Sequence, residues 1–384
     1  MYTLTLDEQT YTGADIRYLY YPGDEEYVVS DFTVNLSGEE CGTVEFTIYK
    51  DHPYYGSIIP RISMITFKRD GNIMFNGQVH SVTKNIDGSM NVYAVDELAF
   101  LLDSVQPQRY LTNVMYSEVM NVLLQYHRSV MPEEKWFYTG SVAGPGDATA
   151  KSRSVITTNF DKTLDVIRDE MSYITYYSGG VIRTQSKLIM VIERPDRTDV
   201  TSPRYLNLVD VHNNPVVRQT IKVGSNMQDF QHAVSSEDLA TALIPLGARL
   251  DTEVVPGLET KVDITSVNDG KNYIVDAEAA AQYGLIFSVV EYDDVTKPSN
   301  LKKLAERELA NRRVLMDEYE ISAVDMSLID SDFDKFEIGF NVRVQDPTEP
   351  DRTLPEFMII GMSINPLDPS SNSITLLKSN WDYE

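Results

Sequence analysis

The sequence predicts a mainly β protein with α/β insertions and two related β-barrels, one at each end of the chain. Three observations carry this. Residues 28–95 are dominated by alternating apolar runs, two pairs of which meet at Asp70-Gly71 and Asp87-Gly88, where a tight turn needs positive φ. Helical periodicity is confined to a few later segments. The stretch MFNGQVHSVTKNIDGSMNVYAV (74–95) lays without a gap on MIIGMSINPLDPSSNSITLLKS (358–379), which sets Gly77 on Gly361, Met90 on Ile374 and Val92 on Leu376.

Taken in order, FTVNL alternates Phe32, Val34 and Leu36 as a half-buried strand does. YSEVMNVLLQYHRSV places Val119, Val122, Leu123, Tyr126 and Val130 on one helix face, and DKTLDVIRDEMSYIT does the same with Leu164, Ile167, Met171 and Ile174. GSVAGPGDATAKSRS between them reads as loop. GGVIRTQSKLIMVIERP returns to a hairpin pattern, so 106–205 forms an inserted α/β domain. The first barrel occupies 1–105 and is completed by about 206–250, where NPVVRQTIKVGS resumes as strand. TALIPLGARL, with Pro245 and Gly247, suits a crossover between units. Residues 251–318 form a second α/β domain. In it DAEAAAQYG is a short helix capped by Asp276 and ended by Gly284, and PSNLKKLAERELANRRVL is a longer one with Ser299 as N-cap and a Leu301, Leu304, Ala305, Leu309 stripe. The second barrel covers 319–384.

Composition narrows the function. The 384 residues carry a net charge of −25, which repels phosphate backbones and leaves no basic patch for nucleic-acid readout. A single cysteine, Cys41, excludes an intrachain disulfide and any multi-Cys zinc site. The N-terminus has no signal-peptide pattern, and no apolar run is long enough for a membrane span.

Motifs for chemistry fail on spacing. In VDITSVNDGKNYIVD (262–276), taking Gly270 as a calcium-loop glycine puts Thr265 and Val267 where acidic ligands belong, and only Asp269 fits. That stretch reads as a turn and strand leading to the helix capped by Asp276. In DSDFDKFEIG, Asp330, Asp332 and Asp334 alternate as ligands would, but Lys335 replaces the required glycine and Asn341 stands in place of the bidentate glutamate. GPGDATAKS would place Pro145 and Ala150 at phosphate-loop glycines. His52, His80, His127, His212 and His232 lie in no metalloprotease motif, and acidic neighbours raise the Cys41 thiol pKa rather than lower it. The adjacent acidic pairs Glu25-Glu26, Glu133-Glu134 and Asp293-Asp294 read as solvated loops. No catalytic, cofactor-binding or metal-binding residue is assigned.

One resemblance stands out. TALIPLGARL, VDITSVNDGKNYIVDAEAAAQYGLI, LKKLAERELANRR, EISAVDMSLID and FEIGFNVRVQDP resemble the C-terminal half of the phage and prophage tail protein family: baseplate hub proteins, or tail-associated lysin N-terminal modules. The resemblance covers roughly 215–380, with the first 210 residues similar in layout. It implies two similar β-barrels with α/β inserts and a homotrimer whose six barrels form a pseudo-six-fold ring against the tail tube. It further implies partners among tail tube or distal tail proteins and tail-tip or receptor-binding proteins, and a place in the virion tail after synthesis in the host cytoplasm. Some members are endopeptidases or carry a further cell-wall-cleaving or host-binding domain. Here the chain ends at NWDYE directly after the last expected strand, so a structural role leads. A tail-associated endopeptidase or peptidoglycan hydrolase is the alternative, and a glycan-binding module using Tyr54 and Tyr55 is the second.

Overall fold

The computed structural model describes residues 1–8, 10, 16–143, 154–178, 181–211, 217–250, 259–293, 295–328, 334–345 and 356–378. It divides into two units. The first comprises Met1–Ile174, Lys187–Gln231 and Tyr319–Glu384; the second comprises Thr175–Ser186 and His232–Glu318.

The first unit begins with seven strands: β1 (Tyr2–Leu6), β2 (Arg17–Tyr20), β3 (Ser30–Ser37), β4 (Thr43–Ile48), β5 (Met64–Arg69), β6 (Asn72–Lys84) and β7 (Met90–Asp96). The turn between β5 and β6 has positive φ at both Asp70 (50°) and Gly71 (82°), and the next turn has Gly88 at 87°, as both Asp-Gly pairs predict. The following region supplies β8 (Arg109–Val114), α1 (Tyr116–Val130), β9 (Tyr138–Val142), β10 (Ser154–Thr158), α2 (Thr163–Glu170), β11 (Tyr173–Ser178), β12 (Val181–Glu193) and β13 (Tyr205–Asp210). β8 pairs antiparallel with β10, and β13 pairs antiparallel with β12 and parallel with β9. β14 (Val217–Ile221) and β15 (Met227–Ser235) follow.

The C-terminal part returns to the same unit through β19 (Met316–Ala323), β20 (Asn341–Val344), β21 (Glu356–Ile364) and β22 (Ser373–Lys378). The strand order runs β19-β22-β21-β3-β4-β7-β6-β5-β1-β2, with β20 beside β21 and β14. The two ends of the chain, expected as two separate barrels, therefore share one sheet. The seam is β21 against β3, where Gly361–Ile364 pairs antiparallel with Ser37–Val34. One apolar core also spans both ends: Phe32, Phe46 and Phe67 pack with Ile221, Val342 and Phe357. Phe32 meets Phe46 and Phe67 edge-on at centroid distances of 6.3 and 5.7 Å. Full burial of each such ring contributes about 1.5–3 kcal/mol.

Gly77 and Gly361 each lie inside the middle strand of a meander, β5-β6-β7 and β20-β21-β22. Their cross-strand partners differ, however. Gly77 opposes Asp96, whereas Gly361 opposes Thr375, a residue that the ungapped alignment lays on Asn91. The two hairpins turn at different offsets, so the ungapped alignment does not hold as register.

The second unit has β16 (Ala242–Leu246), β17 (Ile274–Val275), α3 (Ala277–Tyr283), β18 (Phe287–Glu291) and α4 (Pro298–Arg312). TALIPLGARL was expected as a crossover, yet it holds the central strand of a three-stranded sheet, β17-β16-β18. Pro245 is tolerated because β17 pairs only with Ala242 and Leu243, so no partner strand waits for the missing N–H. The segment 262–276 is a turn, strand and cap as expected. Asp269 and Gly270 take positive φ, and the Asp276 side chain accepts from the N–H of Glu278 and Ala279. In α4 the cap position is Lys297 rather than Ser299, because Pro298 occupies the first helical position, where its lack of N–H costs nothing. Of the expected stripe Leu301, Ala305 and Leu309 are buried, and Leu304 is half-buried.

Candidate functional site

Three polar or aromatic clusters in the first unit bring together residues distant in sequence. The first centres on Glu97, which opens a short 3₁₀ helix, Glu97–Leu102, and is 1% exposed. Its carboxylate accepts from Arg194 and Arg204, and from Asn76 Nδ2 at 2.7 Å. Asn76 is held in turn by Thr66 Oγ1 at 2.8 Å. Arg204 also lies over Phe100 and Phe137, with its guanidinium carbon 5.5 and 5.9 Å from the ring centroids. Two guanidinium groups on one carboxylate leave one net positive charge in a place where a lone charge would be very costly, and the ring faces of Phe100 and Phe137 offset part of it at Arg204.

The second cluster contains a serine–histidine pair. Ser104 Oγ lies 2.7 Å from His127 Nδ1, on the inner face of α1, and 2.6 Å from Thr163 Oγ1 at the start of α2. Gln106 Nε2 donates to Thr163 Oγ1 at 2.8 Å, and His127 Nε2 lies 2.9 Å from Lys135 O. Every group is satisfied if the protons run one way: Gln106 to Thr163, Thr163 to Ser104, Ser104 to His127, His127 to the Lys135 carbonyl. Burial pushes the His127 pKa below its ordinary value, which favours this neutral ring. A hydrolytic dyad needs an exposed nucleophile and a base oriented by an acceptor behind it. Here Ser104 is 2% exposed, His127 and Thr163 are 0% exposed, and the acceptor behind the ring is a backbone carbonyl, so the chain locks α1 and α2 to the 104–106 segment.

The third cluster is aromatic. Tyr27 stacks on Tyr54 (6.4 Å, 10°) and meets Tyr18 and His52 at 6.1 and 6.4 Å. Arg17 sits over Tyr54 at 4.7 Å, and Lys84 approaches Tyr55 at 5.7 Å. The Tyr54 ring, considered from sequence for glycan contact, is thus already engaged by Tyr27 and Arg17.

A cleft of about 170 Å³ is lined by Arg69, Asn72, Asp96, Arg197, Lys335 and Glu337 among mainly apolar neighbours. Each of its cations has a carboxylate: Arg69 with Asp325 at 2.6 Å, Arg197 with Glu337 at 2.9 Å and Lys335 with Asp70 at 2.8 Å. The cations are therefore matched, while the Asp96 carboxyl in the same wall accepts from the N–H of Gly42 and Leu98 and is pushed up to about 7 by burial.

The remaining sequence candidates stay apart. His52 is buried, with Nε2 3.0 Å from Leu19 O, and His80 lies edge-on to Tyr93. His212, the His232 side chain, Asp294, Asp330, Asp332 and the 144–153 loop lie outside the described residues. Asp334 uses its carbonyl to accept from Gln219. Burial pushes the Cys41 thiol up to about 12, the direction opposite to nucleophilic activation. Glu25, Glu26, Glu133 and Glu134 are exposed, although Glu133 and Glu134 lie in a short 3₁₀ helix, Glu133–Lys135, rather than a loop. Among the described residues no group of three or more His, Cys, Asp or Glu is placed to hold a metal ion, and no helix is long and apolar enough to cross a membrane.

With no reactive constellation in view among the described residues, likeness of the whole chain is the more informative comparison. Residues 216–380 match the family described as prophage endopeptidase tail. The 43 kDa tail protein of prophage MuSo2 from Shewanella oneidensis aligns over 99% of this chain and 99% of its own, with a TM-score of 0.57 at 13% identity. This is a prophage tail fold. The tail protein from Neisseria meningitidis MC58 aligns over 98% of this chain and 96% of its own (TM-score 0.57, 13% identity). Prophage tail protein gp18 from Listeria monocytogenes EGD-e aligns over 100% and 95% (TM-score 0.53, 11% identity). No curated protein matches the sequence.

Proposed function

We propose that the chain is a structural hub protein at the distal end of a phage or phage-like tail. In this reading three copies close into a ring that joins the tail tube to the baseplate or tip and lets DNA pass. The observation that carries it is the likeness to prophage tail proteins over nearly the whole chain. The reading takes β1–β7 and β19–β22, which join at the β3–β21 seam, as its two ring-forming parts, two per subunit and six per ring. Closure after three subunits requires one heterologous contact repeated around an axis. The net charge of −25 per subunit suits a passage wall richer in Asp and Glu than in Lys and Arg, to which DNA does not adhere.

The deciding experiment is the solution mass, by light scattering, of the protein alone and with a tail tube protein, followed by negative-stain imaging. A trimer mass and a three- or six-fold ring are expected. A stable dimer, or a ring of another symmetry, overturns the reading. A second reading, a tail-associated endopeptidase, is favoured by the description of the matching family. Zymography on cell walls and peptide release from purified peptidoglycan test it, and a structural hub gives no cleavage in either.

A further inference from the structure

We propose that β18 is an acceptor edge: an extended, cationic-ended segment of a different protein adds to the second unit's sheet as a fourth strand. β18 runs parallel to β16 and lies at the edge of β17-β16-β18. Tyr292 N–H donates to Leu246 O at 2.8 Å, and Ile286 O accepts from Ala242 N–H at 2.9 Å. By the two-residue alternation of a strand, the N–H and C=O groups of Phe287, Val289 and Glu291 face away from β16. Among the described residues no strand pairs with β18 on that side.

The sheet also has an uncovered face. On one side Leu243 and Val290 pack with Leu309 of α4 and Ala240. On the other, Phe287 and Val289 are 47% and 54% exposed, Val275 is 41% exposed, and Tyr273 meets Phe287 edge-on at 5.4 Å. Parallel strands are normally covered on both faces. An open edge is normally protected by lysine, proline or a bulge, and FSVVE has none of these.

Charge selects the occupant. The row Phe287, Val289, Glu291 passes from apolar to acidic. At its acidic end Glu291 and Asp293 share one cation, Lys261, at 2.6 and 3.1 Å. The two carboxylates are 53% and 76% exposed, so that end carries one net negative charge. A fitting strand is apolar at alternate positions and basic where it passes Glu291. A second copy of a chain with net charge −25 is the poorer match.

The probe is a fluorescein-labelled synthetic octapeptide with valine at alternate positions, threonine between them and two lysines at one end. Fluorescence anisotropy on the full chain should show saturable binding. The same peptide with glutamate for lysine should bind at least tenfold more weakly. Val289→Lys, at an exposed position, should weaken the lysine peptide at least tenfold, while Val289→Thr should leave its binding unchanged. The absence of saturable binding, or equal binding of the two peptides, overturns the proposal whether or not either variant folds. A drop in the mass of the unliganded protein on Val289→Lys also overturns it, because the edge would then serve a second copy. A trimer whose mass is untouched by Val289→Lys keeps this edge separate from the ring contact.

Discussion

Arg69 at the end of β5 donates to Asp325 across 2.6 Å, although 256 residues separate them in sequence. Their side chains are 3% and 7% exposed, and Ser327 and the Phe336 N–H complete the carboxylate's surroundings. Burial raises the Asp325 pKa, but the Arg69 hydrogen bond and charge outweigh it and hold the carboxyl below its usual range. Removing one partner strands the other charge in a dry site. Asp325→Ala is therefore expected to destabilise the first unit by about 3–5 kcal/mol, read as a lower urea midpoint.

Asp70 gives a pH dependence. The hydrogen bond from Lys335 holds its carboxyl down at about 2. A depressed carboxylate contributes stability that is complete above its unfolded pKa, near 4, and is lost as pH falls through the folded value. The pair is half exposed, so the effect is modest. Asp70→Asn should flatten the loss of thermal midpoint between about pH 4 and pH 2, leaving the profile above pH 5 parallel to that of the wild type.

Ser104→Ala separates structure from catalysis. It leaves His127 Nδ1 buried without its donor, which is expected to cost about 1–3 kcal/mol in chemical denaturation. Cell-wall turbidity assays should show no difference between Ser104→Ala and wild type. Loss of a measurable wild-type activity in the variant would make the dyad catalytic.

The two strand glycines should differ. A Cβ on Gly77 would run into the Val95 carbonyl and approach Phe75 Cζ to 2.6 Å, so the backbone must move. On Gly361 it would meet the Thr375 side chain at 3.1 Å and the Leu36 carbonyl at an ordinary contact distance of 3.6 Å. Gly77→Ala should lower stability by about 1–3 kcal/mol and Gly361→Ala by clearly less, measured side by side in urea.

Duplex DNA should not bind measurably even at low salt, since counterion release rewards basic surfaces only and the chain carries −25. A gel shift at 20–50 mM salt or so checks this, and a salt-sensitive complex would refute the acidic-passage reading.

The elements legible from sequence are those whose signals are local. Asp70-Gly71 fixes a hairpin through backbone sterics, and Asp276 with Gly284 brackets α3 through its caps. The inner face of α1 was only partly legible. Val119 and Leu123 are buried as expected, but Val130 is 49% exposed, and the face instead continues to His127. An apolar count overlooks a polar side chain that carries its partners inside. The Glu97 node escapes for a related reason: Glu97, Arg194 and Arg204 are ordinary charges until three distant elements converge on them. The shared sheet was hidden because strand pairing over long separations leaves no mark on periodicity.

The β3–β21 seam sets a schedule for biosynthesis. β3 gains its β4 neighbour early, but its other edge must wait for residues 361–364, roughly three hundred positions downstream. At about 5–20 residues per second, the emerging chain carries a bare strand edge for on the order of 15 to 60 seconds. Throughout that interval an unpaired strand edge is a template for pairing with another chain, so crowding of nascent chains on one message is expected to lower the yield of folded protein more than a small change in final stability would.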